Sequence, residues 1–207
     1  MTQKENGLYS LLAHPKIYKI VQYVAGSARS REQFAKQYIQ AQTGDRILDV
    51  GCGTADIVVH LPKDIEYVGF DGNANYIKEA KERYRSRGEF YCSSFSFEAI
   101  TMHGKFDIVL AQNLVHHLSD TEAIAMYKAA KRVLNLGGRF ISSDPCYSEK
   151  QSRFTNWIAS LDRGNHIRTP TEYDQLAAAT FSKRHGVISK NTGWALPGTG
   201  FILECLA

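Results

Sequence analysis

The chain has no cysteine pair at short spacing: Cys52, Cys92, Cys146 and Cys205 stand far apart among 207 residues, with no CxxC or CxxH. A disulfide framework or a structural zinc site needs closer spacing, so the four read as mostly buried thiols of a reducing compartment. There is no apolar run of membrane-spanning length. The apolar residues between Leu8 and Val24 are interrupted by His14, Pro15, Lys16 and Lys19, unlike a signal peptide. A cytoplasmic protein with no membrane partner is expected. Nor is there a large charge of one sign: 25 Lys and Arg against 21 Asp and Glu leave a formal net charge of +4. The basic run Lys78, Lys81, Arg83, Arg85 and Arg87 is interleaved with Glu79, Glu82 and Glu89, the pattern of a solvated helix face. No nucleic-acid partner is expected. Repeats and low-complexity tracts are absent, and 207 residues exclude a large multidomain enzyme. With 43% hydrophobic and 22% charged residues, the chain can build a core without staples.

What is present is an alternation of strands and helices. Short apolar runs at Arg46–Val50, Glu66–Phe70, Glu89–Cys92, Phe106–Ala111 and Arg139–Ser143 read as buried parallel strands. Between them, Asn73 is placed to cap a helix through Ile77, Ala80 and Tyr84. Ser119-Asp120-Thr121-Glu122 is a capping box for a helix with Ile124, Tyr127, Ala130 and Leu134 inward, and Thr169-Pro170-Thr171-Glu172 repeats that logic. This alternation predicts a doubly wound α/β sheet. Residues 8–42 read as two helices broken near Gly26 and Ser27, with Ser30 and Gln33 as a capping pair. Residues 148–180 read as two more, separated by Asp162-Arg163-Gly164-Asn165. The tail, 184–206, reads as two antiparallel strands joined across 193–198.

The chemistry concentrates at Asp49-Val50-Gly51-Cys52-Gly53-Thr54, a strand entering a glycine turn that is expected to lead into a helix. Glycines there let a ligand approach the backbone, at the carboxyl end of a strand where open sheets bind ligands. A dinucleotide site wants GxGxxG and a pyrophosphate on the helix N-terminus. Here the third glycine position holds Asp56, and with Asp49 nearby a ligand with a cationic amino-acid end suits the turn better. Asp71 ends the next strand about 20 residues downstream, where a carboxylate can accept from both hydroxyls of a ribose; the alternative is a loop aspartate capping the Asn73 helix.

Asp49-Val50-Gly51-Cys52-Gly53-Thr54, Gly69-Phe70-Asp71, Phe106-Asp107-Ile108-Val109-Leu110, Val115-His116-His117-Leu118-Ser119-Asp120 and Leu136-Gly137-Gly138-Arg139-Phe140 occur in the order seen in class I S-adenosylmethionine-dependent methyltransferases. The chain resembles that superfamily from about residue 40 to 145. The resemblance implies a Rossmann-like, mostly parallel seven-stranded sheet with an antiparallel C-terminal strand pair. It also implies one domain: helical lid segments at 8–42 and 148–183, a cofactor core at 43–147 and a strand pair at 184–207. Gly53-Thr54-Ala55-Asp56-Ile57, Leu161-Asp162-Arg163-Gly164 and Ile167-Arg168-Thr169-Pro170 resemble a small subfamily linked with cell-surface polysaccharide and other small-molecule pathways.

The implied cofactor is S-adenosyl-L-methionine. Gly51, Cys52 and Gly53 would line its homocysteine part beside Asp49. Asp71 would hold the ribose, with Gly72 and Asn73 near the adenine. Ser94 stands where the family has an acid for the adenine amine, and Phe95 would pack on the ring. Gln112 and Asn113 would offer carbonyls to the ammonium. Ala55 replaces a common third glycine.

His116-His117 is either a base beside the methyl group or a buried structural pair, and His117 matches the family position. No metal is expected, because no third ligand lies at suitable spacing. Asp144-Pro145-Cys146-Tyr147 is similar to the DPPY motif of exocyclic-amine methyltransferases, but Cys146 breaks it and it follows the fifth strand rather than the fourth. Asp144 and Tyr147 are therefore read as pocket lining, with Asp144 a second candidate base. Arg29, Arg31, Arg163, His166 and Arg168 are candidates to bind a polar or anionic small-molecule acceptor. The expected reaction is O-methylation by in-line displacement. Two alternatives are a non-catalytic cofactor-binding partner, to which Ser94 points, and an NAD-dependent reductase, against which Asp56 speaks.

Overall fold

Strand residues alternate between two faces, so a sheet covered on both sides needs apolar residues at nearly every position. Arg46–Val50 (β1), Glu66–Asp71 (β2) and Phe106–Gln112 (β4) meet that demand, while the edge strand Glu89–Cys92 (β3) and the longer Leu134–Pro145 (β5) meet it in part. The computed structural model describes residues 27–93, 100–148, 165–189 and 199–207. In it, these strands pair in parallel, while Lys183–Ser189 (β6) and Gly200–Leu206 (β7) form an antiparallel pair that joins β5 through β7. The seven-stranded order is β3-β2-β1-β4-β5-β7-β6. The chain winds outward from β1 to β3, then returns to start the other half at β4. The crevice between the carboxyl ends of β1 and β4 is the topological switch point, the usual ligand site of such a sheet.

One face packs Leu48, Val50, Val68, Phe70, Val109 and Phe140 under helices Asp120–Val133 and Pro170–Ala178. The other packs Ile47, Tyr67, Ile108, Leu110 and Ile141 under helix Ala74–Tyr84 and the segment from helix Ser27–Phe34 through the π-helical turn Ala35–Ile39. Ala35 and Ile39 of that segment are buried in this second core.

The caps form as their sequences predict. Asn73 Oδ1 accepts from the N–H groups of Asn75 (2.9 Å) and Tyr76 (3.3 Å). Ser119 with Glu122, and Thr169 with Glu172, are reciprocal capping boxes.

Several local expectations are corrected. Ser30 lies inside helix Ser27–Phe34 rather than capping it. The glycine turn leads only to a five-residue 3-10 helix, Asp56–His60; β-branched Val58 and Val59 disfavour an α-helix, and Pro62 stops it. β5 begins at Leu134, not Arg139, because Leu134 pairs with Phe106 before the register shifts. The inner face of helix Asp120–Val133 is set by Ala123, Met126, Tyr127 and Ala130, with Ile124 only half-buried. Cys146 and Cys205 are buried and burial pushes both thiols up to about 12, but Cys92 is exposed. The helices read at 8–25 and 149–164, the strand connection at 190–198 and residues Ser94, Phe95 and Arg163 lie outside the described residues.

The modest basic surplus is largely spent inside the fold. Arg139 donates to the carbonyls of Tyr38 and Ile39, Arg87 to Val58, Leu61 and Pro62, and Arg46 to His103 and Lys105. Lys105 donates to Arg132 and Leu134, and Arg184 to Phe181 and Ser182. Several of these acceptors, among them Ile39, Leu61 and Arg132, lie at or just beyond a helical C-terminus, where carbonyls lack intrahelical partners and the dipole favours a cation.

Candidate functional site

Period-2 alternation places Asp49 on the same face as Ile47, whose register partner on β2 is Tyr67. Asp49 is 2% exposed; its Oδ2 accepts the Tyr67 hydroxyl proton at 2.5 Å, and its Oδ1 is buried with no hydrogen-bond partner among the described residues. Burial pushes the Asp49 carboxyl up to about 7, against the Tyr67 bond and with further help from the Asp71 charge.

Beyond Asp49 the chain turns through Gly51 (φ 76°) and Gly53 (φ 55°), left-handed positions that favour glycine. A side chain at Gly51 would press on Leu114 at 3.1 Å, whereas one at Gly53 would meet nothing within 4 Å. The turn therefore packs on one side and opens on the other. Ala55 also sits left-handed (φ 55°), held by its N–H to the Cys52 carbonyl (2.9 Å).

The turn's N–H groups are already committed. Those of Gly51 and Cys52 donate to the Phe70 carbonyl at 2.7 and 3.0 Å, and that of Gly53 donates to Asp71 Oδ2 at 2.9 Å. A pyrophosphate cradle requires such donors to be available. This, rather than Asp56, is the structural argument against a dinucleotide. Asp56 is itself occupied: Arg83 lies 2.6 Å away, Arg31 3.6 Å, and the Thr54 hydroxyl donates to it at 2.8 Å. Burial acts to raise its pKa, but those three partners together hold the carboxyl below its ordinary value.

Asp71 makes the helix-start contact read for it and a second one to the glycine turn. Oδ1 accepts the Asn73 N–H at 2.7 Å, at the start of the helix, while Oδ2 binds the glycine turn. Burial raises its pKa, opposed by the two N–H groups. Each oxygen retains an acceptor site, and Gly72 and Asn73 beside it are exposed.

Across the crevice, Gln112 ends β4 half-buried and Asn113 turns left-handed (φ 51°), its N–H donating to the Ser143 carbonyl at 2.8 Å. A 3-10 turn, Val115–His117, follows. It separates the two histidines: His116 is 1% exposed and His117 half-buried, with ring centroids 4.1 Å apart. Asp144 is paired with His116. Its Oδ1 accepts the His116 main-chain N–H at 3.1 Å and pairs with His116 Nδ1 at 2.8 Å.

Of the residues read as acceptor-binding, Arg31 faces Asp56, and Arg168 is buried with its guanidinium on the carbonyls of Val115, Leu118 and His166 and on Asp120. Arg29 is exposed. The sequence reading missed His116 as the partner of Asp144, since nothing in two adjacent histidines marks which one turns inward. Among the described residues, no His, Cys, Asp or Glu cluster is arranged to hold a metal ion, and no helix is long and apolar enough to cross a membrane.

Residues 47–138, which carry the glycine turn, Asp71 and the His116-His117 turn, match the family described as "Methyltransferase domain". This stretch, less than half of the chain, is similar to that family. Over 126 residues, the chain is 32% identical to a ubiquinone biosynthesis O-methyltransferase from Bradyrhizobium sp. (strain ORS 278), covering 58% of this chain and 48% of that protein. Two solved structures share the domain's fold: the mitomycin 7-O-methyltransferase MmcR (TM-score 0.70, 16% identity) and the pyocyanin biosynthetic protein PhzM (TM-score 0.72, 13% identity). They cover 99% and 98% of this chain, and each is covered to 62%. The chain thus spans about half the length of the ubiquinone enzyme and less than two thirds of either structure. In this chain the ends of β1 and β4, and hence the glycine turn and the histidine turn, stand on opposite sides of the switch point.

Proposed function

We propose that the chain transfers a methyl group from S-adenosyl-L-methionine to an oxygen of a small-molecule acceptor. The observation that carries this reading is Asp71, a carboxylate fixed by Gly53 and Asn73 N–H groups with an acceptor site left on each oxygen. Such a group suits a ribose diol, and the committed N–H groups of the turn suit a ligand without a pyrophosphate there. When bound, S-adenosyl-L-methionine supplies a methyl carbon on a sulfonium, open to in-line displacement.

In this reading, Asp71 holds the ribose, with Gly72 and Asn73 beside the adenine and with Ser94 and Phe95 completing that end. Gly51, Cys52 and Gly53 line the amino-acid end, and the Gln112 and Asn113 carbonyls accept from its ammonium. The buried Asp49 lies behind the turn, and a cationic group bound in front of it would favour its ionised form. His117 is the base on the acceptor side, and Asp144 acts behind it through His116 rather than as a base in its own right. Positioning supplies most of the rate gain.

The test is incubation with methyl-labelled S-adenosyl-L-methionine and a panel of phenols, sugars and primary amines. Label in a phenol or sugar ether supports the reading. Label confined to amines removes the oxygen assignment, and no label with any acceptor, despite cofactor binding, favours a non-catalytic partner.

A further inference from the structure

The turn that carries both histidines is held from outside its own sequence. Residues 166–168 lie between this turn and the end of β5: the Tyr147 N–H donates to the Arg168 carbonyl (3.1 Å), and Cys146 bridges to Arg168 in parallel. On the other side, the His166 N–H donates to the His116 carbonyl at 3.0 Å. Arg168 Nη1 donates to the Val115 carbonyl (3.2 Å) and Nη2 to the Leu118 carbonyl (2.7 Å). The carbonyls of residues 115, 116 and 118, in and around the pair, thus all accept from this one segment. Arg168 is 7% exposed, and Asp120 Oδ1, at 2.7 Å from Nη2, balances its charge.

A three-residue 3-10 turn has too few internal bonds to fix its own orientation. A planar guanidinium spanning two carbonyls does fix it, because its donors are set in a rigid fork. We propose that Arg168 is a positioning residue that sets the orientation of the Val115–His117 turn, and through it the placement of His116 against Asp144 and of His117 at the crevice. This rests on the proposed function only in giving that placement a role in the reaction. Lysine keeps the charge but reaches fewer carbonyls at once, so it separates orientation from electrostatics.

The experiment follows the imidazole nitrogen and ring-proton signals of His116 and His117 by NMR, assigned with His116→Gln and His117→Gln. The parent protein is compared with Arg168→Lys and with Arg168→Ala, without and with millimolar guanidinium, and S-adenosylhomocysteine binding is measured by calorimetry alongside. In Arg168→Lys we expect displaced signals for both rings and an S-adenosylhomocysteine affinity within about twofold of the parent. Guanidinium should return the Arg168→Ala signals toward the parent positions; if that variant does not fold, Arg168→Lys decides. Unmoved ring signals in Arg168→Lys, or a loss of affinity and fold together, would overturn the proposal. If the parent protein itself fails to bind S-adenosylhomocysteine, the proposed function falls while the ring signals still decide the role of Arg168.

Discussion

Asp144 holds His116 twice, through the main-chain N–H and through Nδ1, with both side chains all but buried. The contact joins the end of β5 to the turn after β4, so it closes the crevice from behind. Removing the carboxylate leaves a buried imidazole and a buried N–H without their acceptor. Asp144→Ala is expected to cost about 2–4 kcal/mol of stability, read by urea unfolding. Asp144→Asn keeps one acceptor oxygen and should cost less. A loss in Asp144→Ala no larger than that of an exposed-site substitution would show the pair to be incidental.

The basic run on helix Ala74–Tyr84 and beyond divides into structural and solvated members. Arg87 donates to three carbonyls at the end of the 3-10 helix Asp56–His60, whereas Arg85 is exposed. Arg87→Ala should lower stability by about 1–2 kcal/mol, and Arg85→Ala should stay within about 0.5 kcal/mol of the parent. Equal effects in thermal melts would refute the capping role.

Asp49 makes stability depend on pH in an unusual direction for a carboxylate. Its folded value is about 7, so the native state keeps a proton that the unfolded chain releases near about pH 4. The native state then binds more protons over that interval, and the contribution is present in full below it and lost as pH rises toward 7. Asp49→Asn removes the titration while keeping an acceptor for Tyr67. The variant should therefore gain on the parent between about pH 5 and pH 8, by an amount on the order of 1–3 kcal/mol. Parallel stability curves for the two proteins would contradict this assignment.

The fold was legible because its signals are local. Apolar runs ending in Gly51-Cys52-Gly53 and Asp71-Gly72, and oxygens at Asn73, Ser119 and Thr169 one residue before a helix, act over a few residues. Asp71 was legible for the same reason, since its place at a strand end follows from the run before it. What escaped is what the sheet assembles. His116 and Asp144 are neighbours only because β4 and β5 lie side by side, and Arg168 reaches Val115 only after the chain has returned to the crevice. Asp56, read as a carboxylate facing a ligand, is answered by Arg83 from the next helix and Arg31 from the one before. The start of β5 at Leu134 was hidden by Gly137-Gly138, which form an irregularity within the strand rather than its beginning.

The central claim is that the crevice binds an adenosine-bearing sulfonium or thioether ligand through Asp71. Calorimetric titration of the parent protein and Asp71→Ala with S-adenosylhomocysteine, and of the parent with NAD, tests it directly. We predict saturable binding of S-adenosylhomocysteine, a loss of about 1.5–3 kcal/mol in Asp71→Ala and no binding of NAD. Binding of NAD without S-adenosylhomocysteine, or equal S-adenosylhomocysteine affinity in the parent and Asp71→Ala, would contradict it.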